Sequence, residues 1–203
     1  RIKDVSKISK KMPNLSDFQS MAFKKIDNYF KAGTSLLLHG VTGSGKTEIY
    51  IQLIAEQLKK KKKILYLLPE IAITTQIIQR LQSFFGNRVG VYHSRFSLAE
   101  RTELWYSMMN EKLHQYDIIL GARSAIFLPF KDLGLIIVDE EHETSYKQMD
   151  PSPRYNARDV ASKMTQIHNA KLLLGSATPS MEMMELVEQK KIGYVVLDKR
   201  YHD

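Results

Sequence analysis

The sequence predicts an α/β domain, doubly wound about a mostly parallel sheet with helices on both faces. Three observations carry this. Short apolar runs alternate with longer amphipathic segments along most of the chain. The runs are rich in Leu, Ile and Val with little polar alternation, as expected of strands buried on both faces. One of the first is followed at once by a glycine-rich turn and a helical segment, the opening of a strand–turn–helix unit.

Residues 1–13 are basic and poor in large apolar side chains, a composition that favours a solvated linker or arm, and residues 14–203 are read as one lobe. From Leu15 the pattern becomes periodic: Phe18, Ala22, Ile26 and Phe30 share one helical face, with Ser16 as N-cap and Gly33 as the stop. Strands are expected at 35–39, 63–68, 88–92, 117–120, 135–138, 171–174 and 194–197, with right-handed helical crossovers between them. The lysine patch 59–63 ends the helix expected at 48–60. It suits the C-terminal dipole there or, alternatively, a phosphate.

A chain of 203 residues, 43% hydrophobic, fits one domain with a single core. Lys and Arg number 30 against 22 Asp and Glu, a net charge of +8, which suits an anionic partner such as nucleic acid without demanding one. With no cysteine, disulfides and Cys-ligated zinc are excluded from this segment, and a reducing compartment is compatible. No run approaches the roughly 18 apolar residues of a membrane span, so a soluble protein without a membrane partner is expected. The chain starts without Met and stops just after a strand, and is read as a piece excised from a longer protein.

Gly40-Val41-Thr42-Gly43-Ser44-Gly45-Lys46-Thr47 has the spacing of a phosphate-binding P-loop and lies between a strand and a helix, the context that loop requires. The glycines let the backbone wrap a β-phosphate with its N–H groups inward, and the helix start adds positive potential. Gly40, Thr42, Gly43, Ser44, Gly45, Lys46 and Thr47 are the expected ATP contacts. Lys46 reaches the β- and γ-phosphates, and the Thr47 hydroxyl ligates Mg2+.

A P-loop needs an acid at the end of a neighbouring strand, and the run Leu135-Ile136-Ile137-Val138 leads into Asp139-Glu140-Glu141-His142. Asp139 is expected to hold Mg2+ through water, and Glu140 to orient and deprotonate the attacking water. Lys46, Asp139 and Glu140 are thus the catalytic set. Glu141 reads equally as a functional acid or a solvated helix start. His142 either bridges the nucleotide site to a following loop or is a satisfied structural histidine.

The P-loop, the Asp-Glu-Glu-His box and Gly175-Ser176-Ala177-Thr178-Pro179-Ser180 resemble motifs I, II and III of superfamily 2 helicases. Longer strings, namely Leu67-Leu68-Pro69-Glu70-Ile71-Ala72, Gly121-Ala122-Arg123-Ser124-Ala125 and Ser145-Tyr146-Lys147-Gln148 after the acidic box, are similar to the PriA family of replication-restart helicases. The resemblance implies the N-terminal RecA-like ATPase lobe of a DNA helicase that unwinds 3′ to 5′ at stalled forks. It implies coupling roles for Ser176 and Thr178, between the ATP site and the nucleic-acid track. Gln19, upstream of the P-loop, stands where related helicases read adenine; otherwise it is a polar residue on an exposed helix face.

The segment 146–158 combines Tyr146, Lys147, Arg154, Tyr155 and Arg158 with two prolines, a mixture suited to single-stranded DNA: rings stack on bases and cations neutralise phosphates. It resembles the family's aromatic-rich coupling loop, but its tip, Asp150-Pro151-Ser152-Pro153, departs from the usual Trp or Gly. An ordinary surface loop whose tyrosines pack against the domain is the alternative. Arg123 and Ser124 fall after a strand, where ligand-contacting loops gather, and are expected to bind the DNA backbone; Arg123 could instead saturate a helix end or an acid.

Family membership also implies forked and single-stranded DNA, a second helicase lobe, primosome proteins and single-strand DNA-binding protein as partners, a zinc site in a part not present here, and the bacterial cytoplasm at the nucleoid. Three rival readings stay open: another superfamily 2 translocase, RecG-like or a restriction motor; an ATP-dependent switch that does not translocate; and a non-catalytic interaction fragment.

Overall fold

The computed structural model describes residues 12–93, 96–110 and 116–198. The basic arm expected at 1–13 falls almost wholly outside these residues.

Seven parallel strands form the main sheet: β1 (Leu36–Gly40), β2 (Lys63–Leu67), β3 (Val89–Tyr92), β4 (Ile118–Gly121), β5 (Leu133–Val138), β8 (Lys171–Ser176) and β9 (Gly193–Leu197), in the order β3-β4-β2-β5-β8-β1-β9. β6 (Lys147–Gln148) and β7 (Tyr155–Asn156) pair antiparallel as a separate hairpin. Every expected strand is present, with ends shifted by a residue or two; Arg88 belongs to a 3-10 turn that leads into β3.

The helices are α1 (Asp17–Lys31), α2 (Lys46–Lys59), α3 (Thr75–Phe85), α4 (Leu98–Met109), α5 (Ala157–His168) and α6 (Met181–Glu188). Ser16 caps α1 as its sequence predicts, in a capping box completed by Gln19. Period-two side-chain alternation divides the core into two layers. Leu36 and Leu38 face α1, α2 and α3 together with Ile26, Ile54 and Leu81. Leu37 faces the opposite way with Leu104, Ala161 and Met183, from α4, α5 and α6. Sequence strands lacking polar alternation are thereby explained: both faces of the sheet are covered.

In a parallel sheet all the strands end on one side, so the loops after β1, β2, β4, β5 and β8 converge. A buried ionic knot holds three of the segments that follow. Glu141 is fully buried just beyond β5, and Arg158, in the first turn of α5, is 7% exposed. Arg158 Nη1 donates to Glu141 Oε2 at 2.6 Å and to Ser180 Oγ at 3.1 Å, while Nη2 donates to Glu182 Oε2 at 2.8 Å. The Ser180 amide and hydroxyl donate to the two Glu141 oxygens at 2.7 and 3.0 Å. Burial works against charge on Arg158, but its bonds to Glu182 and Glu141 outweigh this and hold its pKa above the usual value.

Two sequence expectations change here. Glu141 is neither a solvated helix start nor a group open to ligand, and Arg158 turns its charge inward, away from any DNA-facing loop. Removing one partner leaves the other buried and uncompensated. Arg158→Ala is therefore expected to cost about 3–5 kcal/mol, read by urea unfolding of this chain, whereas Lys163→Ala, on the exposed face of the same helix, should stay within about 0.5 kcal/mol.

Candidate nucleotide-binding site

The glycine-rich loop joins β1 to α2 and turns through left-handed Gly43 (φ +81°) and Gly45 (φ +82°). At Gly45 a side chain is doubly disfavoured, because a Cβ would lie 2.1 Å from Gln19 Nε2. Lys46 Nζ donates to Gly40 O at 2.6 Å, so the lysine lies along its own loop. The Ser44 hydroxyl is buried and has no hydrogen-bond partner among the described residues, an omission that a ligand at the loop would make good. Val41, Thr42, Gly43, Ser44, Gly45, Lys46, Thr47 and Glu48 line an open cavity of about 540 Å3, closed opposite by Arg80, Asp139 and Glu140. Elements distant in sequence thus bring the phosphate loop and two of the acids to one cavity.

Gln19 is buried beside the P-loop rather than on an exposed helix face, and it lines a cavity with Phe18, Lys25 and Ser44. It is 1% exposed. Its carbonyl accepts the Ser16 amide at 2.9 Å, and Nε2 donates to Ser44 O and Gly45 O at 3.3 and 3.4 Å. The side chain is a strut between α1 and the P-loop.

Asp139 leaves β5 into a cage of tyrosines. Tyr50 donates to Oδ1 and Tyr66 to Oδ2, both at 3.0 Å, and Tyr146 donates to the main-chain oxygen at 2.6 Å. Burial raises the Asp139 pKa, with Glu140 adding to the effect; the bond from Tyr50, the charge of Lys46 and the bond from Tyr66 oppose it. Gly175 makes room for this cage: a Cβ there would meet the Tyr50 hydroxyl at 1.9 Å. Glu140 adopts a left-handed backbone (φ +49°), uncommon for a residue with a side chain, and its carboxylate remains on the cavity wall.

His142 Nδ1 shares a hydrogen bond with Ser176 Oγ at 2.8 Å and lies 3.6 Å from Glu140 Oε2. The Thr178 amide donates to Ser176 Oγ at 3.0 Å, while its side chain is exposed. The acidic box and the Ser176 segment are therefore in direct contact through His142.

The residues expected at DNA divide into two groups. Tyr146 is 1% exposed and its hydroxyl is engaged by Asp139, so base stacking by Tyr146 is corrected: the ring packs into the domain. Lys147 and Arg154 are exposed on the β6–β7 hairpin, Tyr155 is half-buried, and Ser124 is partly exposed. The Tyr155 ring meets the exposed Phe127 edge-on, with centroids 4.8 Å apart. Arg123 Nη1 donates to Ser145 O and Lys147 O at 3.1 and 3.2 Å, and its side chain also bonds Tyr155. It caps the backbone of the hairpin root rather than a helix end or an acid.

No motif spacing marks Tyr66 or Arg80, and Glu48 and Tyr50, at the end of the P-loop string 40–50, receive no role from it. A tyrosine inside a helix or strand reads as core. Only the hydroxyl, which must find a partner when buried, hinted at more.

The DEAD/DEAH box helicase family matches residues 16–186. Replication restart protein PriA of Bacillus subtilis strain 168 is 46% identical over 172 residues, covering 83% of this chain and 21% of the relative. PriA of Chlamydia trachomatis serovar D is 48% identical over 164 residues, 81% of this chain and 21% of the relative. The chain thus spans about a fifth of the length of these curated relatives. Among solved structures, RecG bound to a three-way DNA junction superposes with a TM-score of 0.65 at 22% identity, over 92% of this chain and 24% of that one; this likeness speaks for the fold. With the phosphate loop, Asp139 and Glu140 on one cavity and the family match spanning most of the chain, the chain belongs to the DEAD/DEAH box helicase family, and its sequence is similar to PriA.

Proposed function

We propose that this chain is the ATP-binding motor lobe of a 3′ to 5′ DNA helicase that acts in replication restart. The observation that carries the reading is the single cavity where Lys46 and Thr47 face Asp139 and Glu140. Direction of travel and restart at forks rest on the PriA likeness alone.

Lys46 would leave Gly40 O for the β- and γ-phosphates, and the α2 N-terminus would seat them. Mg2+ fits the oxygens present: Thr47 and Asp139 supply hard donors, and an ion that keeps several waters and shares the nucleotide's oxygens needs no larger cluster. The ion's charge would offset that developing on the transferred phosphoryl group. Asp139 is held in place by the tyrosine hydroxyls, so little reorganisation is needed to use it. Glu140, on the open wall, would orient and deprotonate the attacking water. A second lobe would complete the site with arginine, a contribution of about 10³–10⁵ in rate.

Coupling to DNA would run from the hairpin root. Arg123 bonds the 145–147 backbone, the neighbouring Tyr146 bonds Asp139, and His142 joins the box to Ser176, next to Thr178. Lys147, Arg154, Tyr155 and Ser124 are the DNA contacts we propose; single-strand-binding protein and primosome proteins are partners by family alone.

The test is DNA-stimulated ATPase of the intact protein on a forked substrate. Glu140→Gln should retain ATP binding within a few-fold and lose turnover by about 10²–10⁴, while Lys46→Ala should lose binding as well. Tyr155→Ala should weaken single-stranded DNA binding by about 1–3 kcal/mol with ATP affinity unchanged. Turnover indifferent to DNA would sink the helicase reading and favour a nucleotide switch.

A further inference from the structure

We propose that Arg80 binds the polyphosphate of the nucleotide directly, and that Glu48 holds its guanidinium at the cavity wall until a polyphosphate arrives. The inference deepens, and rests on, the nucleotide-binding reading above. Arg80 lies on α3, well beyond the P-loop in sequence, yet its side chain lines the same cavity as Lys46, Thr47, Asp139 and Glu140. Its Nη2 is ion-paired with Glu48 Oε1.

The two partners differ in freedom. The Arg80 side chain is 45% exposed and that of Glu48 only 15%. The second Glu48 oxygen packs against the loop, 3.1 Å from where a Gly45 Cβ would stand. The carboxylate is the more enclosed of the two, and the guanidinium arm lies on the wall of the open cavity.

Charge supplies the driving force for transfer. Lys46 and Arg80 face three carboxylates, Glu48, Asp139 and Glu140, around the cavity. Glu48 stands in the first turn of α2, where a negative charge is favoured by the helix dipole. A polyphosphate seated at that same helix start takes over this favourable position and is repelled by the carboxylate beside it. A guanidinium presents five N–H donors in a planar fork that matches phosphate oxygens, and its bonds to a multiply charged phosphate are stronger than those to one carboxylate. Arg80 thus has a better anionic partner within its own cavity once the nucleotide is bound.

The rival role is counter-charge only: Arg80 would neutralise Glu48 and never touch the ligand. A double-mutant cycle separates the two, read as the Kd of a fluorescent ATP analogue with Mg2+ on the intact protein. Direct contact predicts that Arg80→Ala raises Kd by roughly tenfold to a hundredfold, that Glu48→Gln binds at least as tightly as the parent, and that the double variant stays as weak as Arg80→Ala. Parental affinity in Arg80→Ala, or its return in the double variant, would overturn the proposal. A parent protein that binds no ATP analogue would instead overturn the nucleotide reading itself.

Discussion

Three consecutive carboxylates at the end of one buried strand are an electrostatic problem, and the architecture around β5 is arranged to solve it. Each acid receives a different environment. Asp139 is desolvated and held by two tyrosine hydroxyls, Glu140 faces the open cavity, and Glu141 turns the other way to meet Arg158. Like charges so close in sequence would destabilise one another in a common medium. Hydrogen bonds offset part of the cost of burying the first, the second stays on the open cavity wall, and an opposite charge pairs with the third.

That division has structural consequences. The left-handed turn at Glu140 separates the directions of its neighbours, at a backbone cost that the surrounding contacts must offset. Glu141 draws α5 and α6 toward the strand end through Arg158 and Ser180. The same knot reaches the exposed hairpin: Glu182 bonds both Arg158 and Lys147, the latter at 3.4 Å. Nucleotide cavity and hairpin therefore share supports, which is the physical basis on which the proposed coupling of ATP and DNA stands.

The tyrosines do related work on the other side of the box. Tyr50 and Tyr66 come from α2 and β2, so the P-loop helix and a central strand both fix the orientation of Asp139. Burial raises the pKa of each phenol first, and the nearby Asp139 charge raises it further, so both stay protonated donors across the physiological range. Gly175 keeps the space that Tyr50 occupies, giving the Gly-Ser-Ala-Thr-Pro-Ser segment a steric role before any functional one.

The sequence by itself determined the α/β class, all seven strands of the main sheet, the first helix with its Ser16 cap, and the phosphate loop and acidic box as one site. These are local signals: a period of two or its absence, a capping residue, a fixed glycine spacing. Tertiary structure alone decided which way long side chains point. Tyr146 and Tyr155 sit in one aromatic, basic segment, yet one ring is buried under Asp139 and the other lies beside Phe127 near the surface. Arg158 and Arg154 are equally cationic, but only Arg158 begins a helix that packs above a buried carboxylate. Gln19 became a strut and Arg80 a cavity wall because α1 and α3 fold against the P-loop from distant positions. Such choices depend on desolvation and on partners brought together across the sheet, quantities that no local pattern of residues encodes.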